Sequence, residues 1–402
     1  MFKPLKGIKV LDMTGVLAGP YSTYQLGLLG AEILKIEPFF DGDWTRKVGK
    51  NKELTKKKMG TSFLIQNSNK KSIQVNLKSI EGKEITSKLL KYVDVFVENM
   101  RPGKADKLGF GWNQVSVINK NIVYCSISAF GQDGPFRDRG AYDHVIQGMS
   151  GIMSTTGTPE SGPTKVGSPY IDYATGLNAA FAITSALHQV KIDNKPIRLD
   201  VAMFDTSLLL MANMVTEHLN SGWEPKPMGN EAQSGSPSSG MYKTLTSPLL
   251  LAANTNEQFL NLCDALNTIK IFDKKKWKFE KRRIQNQEQL RKEMQEIFNL
   301  RTAEELEELL NKFKVPAGKL RSLKEAVSEE QFAERKLWNK VNIEAIKQDY
   351  LVPSLGFKVN GKSVIPKIPP PSLGQDTDEI LQSLDYTDEQ IKKFKENKIV
   401  NE

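Results

Sequence analysis

Hydrophobic positions in the first half of the chain follow two alternating periods. Residues 8–13 have the continuous apolar pattern of a buried strand, a turn follows at 15–20, and residues 21–29 have helical spacing. Further strands are predicted at 32–37, 72–77, 93–97, 122–127 and 198–201, and further helices at 81–92, 139–151 and 204–219. Strands that alternate with helices predict an α/β fold with a parallel sheet and right-handed crossovers.

The composition changes near the middle of the chain. Residues 223–240 are rich in Pro, Gly and Ser, which is typical of a linker into a second domain. Beyond it, capping boxes at Thr302–Glu305 and Thr387–Gln390 predict the starts of two helices. The pattern therefore predicts a large α/β domain and a smaller second domain.

The first turn lacks the glycine fingerprint of dinucleotide-binding proteins. Residues 14–20 read TGVLAGP, without the G-x-G-x-x-G spacing. We therefore predict a Rossmann-like unit without the standard pyrophosphate cradle. A nicotinamide-dependent dehydrogenase is not favoured.

A single carboxylate, Asp172, lies in the stretch VGSPYIDYATG at residues 166–176. Helical spacing after it places Leu177, Phe181, Thr184 and Leu187 on one predicted face. Because Asp is a preferred N-cap residue, the local pattern alone favours helix capping over catalysis. A catalytic role needs support from outside the stretch.

Composition indicates a folded, enzyme-sized protein of 402 residues, with 39% hydrophobic and 26% charged positions. The weakly polar run at 176–187 is too short to span a bilayer, and the strand pattern that starts at residue 8 argues against a signal peptide. Cys125 and Cys263 lie in apolar surroundings, so we expect a reducing, cytoplasmic location. Three histidines without paired Cys/His spacing predict no metal site.

The formal net charge is +9, which fits an anionic partner. The lysines are scattered and do not alternate with aromatic residues, as they do in single-strand binders. A basic nucleic-acid-binding or scaffold protein is the competing class, and salt-dependent DNA binding would support it. We expect no nucleic-acid partner.

Six ordered segments together resemble the class III CoA-transferases, the family of carnitine and formate/oxalate CoA-transferases. They are KGIKVLDMTGVLAGP with LGAEILKIE, then NKKSIQVNLK, DVFVENMRPG, YDHVIQGMSGIMSTTG, GSPYIDYATGL and PPPSLGQDTDEIL. The resemblance runs nearly from end to end, and its specificity comes from the order and spacing of the segments.

The resemblance implies that Asp172 is a nucleophile. It would attack an acyl-CoA, form an acyl–aspartyl anhydride and then an aspartyl-CoA thioester, and pass CoA to an acceptor carboxylic acid. Coenzyme A would be a substrate, and no permanently bound cofactor is implied. By the family pattern, CoA contacts fall on Val16, Ala18, Val75, Asn76, Lys78, Asn99, Met100, Arg101, Lys107, Tyr142 and Asp143.

The resemblance also implies an architecture. Residues 1–205 and 320–402 would form the large Rossmann-like domain, and 225–319 a smaller inserted α+β domain. Two subunits would interlock as a homodimer. The chain departs from some members where Pro38 follows Glu37 and where Gly140 replaces a lysine.

An α-methylacyl-CoA racemase of the same fold is the alternative. Such enzymes use a His and an Asp as an acid–base pair. The racemase histidine should fall on Tyr142, which is a poor base near neutral pH. His144 lies about 200° away on a helix, so it does not replace that histidine.

Overall fold

The computed structural model describes residues 2–232 and 234–401. A parallel sheet of six strands in the order β3-β2-β1-β4-β5-β8 forms its centre, and this is the Rossmann order. The strands are β1 Lys9–Met13, β2 Glu32–Pro38, β3 Lys70–Val75, β4 Val95–Glu98, β5 Val123–Ser128, β6 Gly157–Thr158, β7 Gly162–Pro163, β8 Ile197–Ala202, β9 Gly240–Tyr242, β10 Leu249–Leu251, β11 Ala317–Lys319, β12 Trp338–Ile343, β13 Gln348–Pro353, β14 Lys358–Val359 and β15 Lys362–Ser363. The prediction of a parallel α/β sheet is therefore confirmed.

Helices cover both faces of this sheet. The α-helices are α1 Ala18–Leu28, α2 Lys52–Lys56, α3 Thr61–Leu64, α4 Ile80–Tyr92, α5 Lys104–Leu108, α6 Trp112–Ile118, α7 Asp143–Met149, α8 Tyr170–Asp193, α9 Met203–Leu210, α10 Ala212–Ser221, α11 Asn256–Asn267, α12 Lys274–Trp277, α13 Glu280–Gln285, α14 Gln287–Phe298, α15 Ala303–Lys312, α16 Leu323–Ser328, α17 Glu330–Arg335, α18 Thr377–Gln382 and α19 Asp388–Glu396. One apolar core contains side chains of α4, α18 and α19, and a second contains side chains of α1 and α8. Burial on both faces explains the apolar run Val95–Val97 of the central strand β4.

The chain divides into two compact units. The first contains Met1–Ile152, Lys165–Trp223 and Glu334–Glu402, and the second contains Met153–Thr164 and Glu224–Ala333. In the second unit, the antiparallel strands β9, β10 and β11 share a core with α11, α14 and α15. The predicted capping boxes at Thr302 and Thr387 are both present.

Three sequence-based details were wrong. The helix predicted over 139–151 is confined to α7, and the one predicted over 204–219 breaks at Met211 between α9 and α10. The apolar face predicted for α8 is not buried as a whole, because Leu177 and Phe181 are exposed. The small residues Gly176, Ala179 and Ala180 are buried instead, and α8 packs closely against α1 through them.

Among the described residues, no helix combines the length and the apolar character that crossing a membrane requires.

Candidate active site

A cavity of about 350 Å³ opens at the carboxyl end of the parallel sheet. Its walls come from the turn after β1 and from the segments that follow β4 and β5, with parts of α7, α8 and α9. The strand order reverses between β1 and β4, and open α/β sheets bind ligands at such switch points. The lining includes Val16, Ala18, Asn99, Met100, Arg101, Arg139, Tyr142 and Asp172.

The turn after β1 is held by the segment after β4. The Asn99 side chain accepts a hydrogen bond from the Gly15 N–H at 2.9 Å and donates one to the Gly15 carbonyl at 2.7 Å. Val16 has a φ of 73°, a left-handed conformation that is unfavourable for a β-branched residue. The Gln66 amide donates to the Val16 carbonyl at 2.6 Å, so neighbouring side chains fix this strained turn.

A network of buried charges lies next to this turn. Three ion pairs join buried side chains: Lys70–Asp12 at 3.0 Å, Lys35–Asp43 at 3.3 Å and Arg46–Glu37 at 2.6 Å. Lys35 also donates to the carbonyl of Thr14 at 2.6 Å. Burial alone would raise the pKa of Asp12, but the two lysines and hydrogen bonds from Thr14 and Thr23 hold it below its usual range.

Asp172 lies in the first turn of α8, and it is not the N-cap. The helix begins at Tyr170 after the N-cap Pro169, so the capping interpretation of Asp172 was wrong. Within residues 2–232 and 234–401, no hydrogen bond reaches the Asp172 carboxylate. The carboxylate faces the cavity and is half-buried.

Asp143 accepts hydrogen bonds from the first N–H groups of α8. Its buried carboxylate accepts from the N–H of Ile171 at 2.8 Å and from that of Asp172 at 3.2 Å. The Gln147 amide donates to the other Asp143 oxygen at 2.5 Å, and its own carbonyl accepts from the Val166 N–H at 2.9 Å. Asp143 and Gln147 therefore hold both ends of the segment that leads to Asp172.

The surroundings of Asp172 favour its protonated form. Burial, followed by the negative charge of Asp143, raises the pKa of Asp172 to about 7. A carboxyl group that titrates near neutral pH in a cavity is typical of a functional site.

Two arginines bring positive charge to the cavity wall. The Arg101 guanidinium lies against Gly140, where a Cβ atom would be 3.4 Å from Arg101 Nε. Arg139 stacks on the Phe136 ring at 4.1 Å. A Cβ atom at position 140 would thus be in ordinary van der Waals contact with Arg101.

The residues predicted to contact CoA do not all lie at this cavity. Val16, Ala18, Asn99, Met100, Arg101 and Tyr142 line it together with Asp172. Lys78 and Lys107 are exposed on the surface, and Val75 is buried in the core beneath Asn76. Asn76 bonds to the main chain of Ile399 and Lys398, near the C-terminus.

Sequence reasoning missed Asn99 as a support of the first turn, and it missed the roles of Gln147 and Arg139. A signal existed for Gln147, because it lies four residues after Asp143 and shares its helix face. No sequence pattern indicated that Lys70 or Arg46 would be buried. Each occurs in a charged segment that reads as surface.

Histidine contributes nothing to the cavity wall. His144, His188 and His218 are exposed, and the racemase position is occupied by Tyr142, which lines the cavity. The described part of the chain therefore offers no imidazole base next to Asp172.

Comparisons with known proteins agree on one family. Residues 5–377 match the model of CoA-transferase family III. The chain is 36% identical over 391 residues to succinyl-CoA:glutarate CoA-transferase of Mus musculus, covering 96% of this chain and 88% of that protein. It is 32% identical over 335 residues to acetyl-CoA:oxalate CoA-transferase of Acetobacter aceti, covering 83% and 85%.

A solved structure of a CAIB/BAIF family protein from Brucella suis has a TM-score of 0.81 at 28% identity, covering 96% of this chain and 100% of that one. The sequence and structural matches extend over nearly the whole chain, and they agree with the resemblance carried by the six segments. The chain belongs to CoA-transferase family III, and it is a class III CoA-transferase.

Proposed function

We propose that this protein moves CoA from an acyl-CoA donor to a carboxylic acid acceptor, with Asp172 as the covalent nucleophile. The observation that supports this most directly is the carboxylate of Asp172 itself. It faces the cavity at the switch point of the sheet, whose lining also includes Asn99 and Arg101, and its lone pairs are not used in hydrogen bonds among the described residues. A carboxylate in that state is available for attack on a thioester.

The reaction proceeds by exchange of activated acyl groups. An Asp172 oxygen forms a bond to the thioester carbon of the donor, and the carbon–sulfur bond breaks to give an anhydride and CoA thiolate. The thiolate attacks the aspartyl carbonyl, which releases the donor acid and leaves an aspartyl-CoA thioester. The acceptor carboxylate attacks this thioester, giving a second anhydride and the thiolate. The thiolate then takes the acceptor acyl group and restores Asp172.

No energy source is needed, because each step replaces one activated acyl bond with another. The protein has to keep the thiolate beside the anhydride, since proximity supplies much of the rate. We expect the thioester end of CoA to be held by the cavity-lining residues Val16, Ala18, Asn99, Met100, Arg101 and Tyr142. Val75, Asn76, Lys78 and Lys107 remain predicted contacts of its phosphate and adenine end, and Asp143 remains a predicted contact near the acyl group.

Small dicarboxylic acids are the proposed acyl groups, with succinyl-CoA as donor. The mouse relative is named for succinyl-CoA and glutarate. In this chain the free end of such an acid would meet Arg139, which lines the cavity. A screen of acyl-CoA donors against mono- and dicarboxylic acids, read by mass spectrometry, tests this assignment.

The racemase alternative makes a different prediction. A racemase exchanges the proton on the carbon next to the thioester. We expect acyl-CoA in deuterated buffer to show no fast exchange at that carbon in the presence of the protein. Fast exchange with no transfer to acceptor acids would favour the racemase.

A homodimer is part of the proposal. Large apolar side chains are exposed on neighbouring helices: Leu177 and Phe181 on α8, Leu209 and Leu210 on α9, and Leu219 on α10. Phe181 is 72% exposed, which is unfavourable unless another surface covers it. Light scattering should give a dimer, and an interlocked dimer should persist on dilution to nanomolar concentrations. A monomer at micromolar concentration would contradict this part.

Chemical trapping tests the covalent mechanism. Incubation with acyl-CoA and then hydroxylamine should modify Asp172, as located by peptide mass spectrometry. The Asp172→Ala variant should lose transferase activity while keeping the fold. Full activity in that variant would overturn the proposed mechanism.

A further inference from the structure

Asp143 and Gln147 form a bracket around the segment that leads into α8. Gln147 binds the Val166 N–H at one end of the segment, and Asp143 binds the Ile171 and Asp172 N–H groups at the other. The two side chains are joined by their own hydrogen bond of 2.5 Å, and both are buried. Apart from Val145, the described lining of the cavity includes no residue from positions 143–171.

Asp143 changes which group accepts hydrogen bonds from the first backbone N–H groups of α8. The first N–H groups of a helix have no intrahelical partner, and a carboxylate in the first turn commonly accepts one of them. Here the Asp143 oxygen occupies the N–H groups at positions 171 and 172. The Asp172 carboxylate is thereby left without a local donor and faces the cavity.

We propose that Asp143 and Gln147 are positioning residues that hold the Asp172 carboxylate in an attacking geometry, by capping α8 in its place and fixing the preceding segment. This inference rests on the proposed function, because it assigns a role toward the nucleophile of that reaction. It gives Asp143 a role that does not require contact with CoA.

The charge of Asp143 has a second effect. A negative group whose carboxylate bonds to the Asp172 N–H makes ionisation of Asp172 less favourable. In the described part of the chain, Tyr173 on α8 interacts electrostatically with Asp172 and its ring contacts that of Tyr21 on α1, whereas Tyr170 interacts with Asp143. The charged or titratable groups Arg101, Arg139 and Tyr142 line the cavity wall. None of these groups is a carboxylate, and Asp143 is the one whose negative charge raises the pKa of Asp172, so removing that charge should move the Asp172 titration.

Two single variants separate position from charge in the full-length protein. Gln147→Ala keeps the charge of Asp143 but releases the Val166 end of the segment. Its kcat should fall about tenfold with the acid limb of the pH–rate profile unchanged, because geometry alone is disturbed. Asp143→Asn should lower kcat similarly, and its acid limb should move down by about one pH unit because the negative neighbour is gone. In Gln147→Ala the KM for acyl-CoA should stay within about twofold, because Gln147 is not in the cavity lining.

A double variant tests the hydrogen-bond polarity. In Asp143→Asn, the new amide N–H₂ faces the Gln147 amide, so two donors oppose each other if the carbonyl side still caps α8. Adding Gln147→Glu restores an acceptor there and keeps an acceptor for the Val166 N–H. The double variant should therefore recover most of the kcat that Asp143→Asn loses, whereas Gln147→Glu alone should be impaired by carboxylate–carboxylate repulsion.

His144→Gln is the matched control, since His144 is exposed on the same helix and should leave both kcat and the pH profile unchanged. Wild-type kcat and an unmoved acid limb in both Asp143→Asn and Gln147→Ala would overturn the inference. If Asp143→Asn does not fold, Gln147→Ala and the double variant still decide it. Failure of the proposed function is distinguishable, because Asp172→Ala would then remain active.

Discussion

Two groups of carboxylates in the unit that contains the parallel sheet have opposite electrostatic surroundings. Next to the first turn, Asp12, Glu37 and Asp43 are buried, and each lies against a lysine or arginine. At the start of α8, Asp143 and Asp172 lie together and neither has a cation within ion-pair distance among the described residues. The pKa of Asp12 is held below its usual range, whereas burial and Asp143 raise the pKa of Asp172 to about 7.

The contrast separates a group that holds a turn from a group that reacts. A fully paired buried carboxylate has its lone pairs occupied and its charge stabilised, so it is a poor nucleophile and a firm support. A carboxylate without such partners has a less stable ionised form in the folded protein and is therefore more reactive. Because the two types lie on neighbouring elements, the rigid group can support the first turn while the reactive group remains available.

Removing a lysine from the buried ion pairs should cause the largest loss in the free energy of unfolding. In Lys70→Met, Asp12 would remain buried without its main partner, and we expect a loss of about 3–5 kcal/mol in the free energy of unfolding. Urea denaturation measures this loss. Lys71→Met is the matched control, because Lys71 is partly exposed and pairs with Glu379 and Glu32 at the surface. The control should change stability by less than about 1 kcal/mol, and equal losses in both would show that the buried pair contributes nothing special.

Neutralising the unpaired group should stabilise the protein. The folded-state pKa of Asp172 is raised from 3.8 to about 7, so the folded protein holds this proton more tightly than the unfolded chain. Stability therefore falls as pH rises through that window and stays low above it. Asp172→Asn should be more stable than the parent by about 2 kcal/mol at pH 8. The difference should disappear near pH 4, as followed by urea denaturation at each pH.

The sign of this pH dependence is the decisive part. If a cation paired with Asp172, Asp172→Asn would be less stable than the parent protein at pH 8. That outcome would remove the contrast with Asp12, for which neutralisation should be destabilising at neutral pH.

Much of the fold could be predicted because its signals are local. The parallel sheet follows from apolar strands that alternate with helices, and both capping boxes follow from four-residue patterns. The buried charges could not be predicted, since the partners Asp12 and Lys70 are 58 residues apart and a lysine next to Lys71 reads as surface. Burial of such a pair depends on strand order, which local patterns do not specify.

The candidate site was predictable in part for the same reason. Asp172 could be singled out because the ordered segments resemble a family whose nucleophile falls there. Its helix cap could not be assigned correctly, because the group that replaces it, Asp143, lies 29 residues away and meets α8 only through the tertiary fold. The exposed Phe181 was misplaced because small residues, rather than large ones, form the contact of α8 with α1.

Arg139 in the cavity wall should pair with the free carboxylate of a dicarboxylic acid, since it does not pair with Asp172. In Arg139→Leu, the KM for a dicarboxylic acceptor such as glutarate should rise about tenfold, because one charge-assisted contact of about 1.4 kcal/mol is lost. The KM for butyrate, which has no second carboxylate, should not change. Arg137→Leu is the control, as Arg137 lies two residues away and outside the cavity lining. Equal KM changes for both acids would assign Arg139 to CoA or to structure instead.

The smallest expected change in stability comes from relieving the backbone strain at Val16, in the turn next to the buried ion pairs. Val16 has a φ of 73°, and Gln66, Asn99 and Lys35 hold the main chain around it. Val16→Gly removes the strain of a β-branched residue in a left-handed conformation, and it also adds freedom to the unfolded chain. Because the strain is the larger of the two contributions, we expect a net stabilisation of about 0.5–1 kcal/mol. Differential scanning calorimetry would detect the rise in Tm. Lys347→Gly, at an exposed position with a φ of 52°, should gain less because lysine is not β-branched. If Val16→Gly is destabilising, the side chain of Val16 contributes more to packing than its backbone costs, and the turn is not held under strain by the charges next to it.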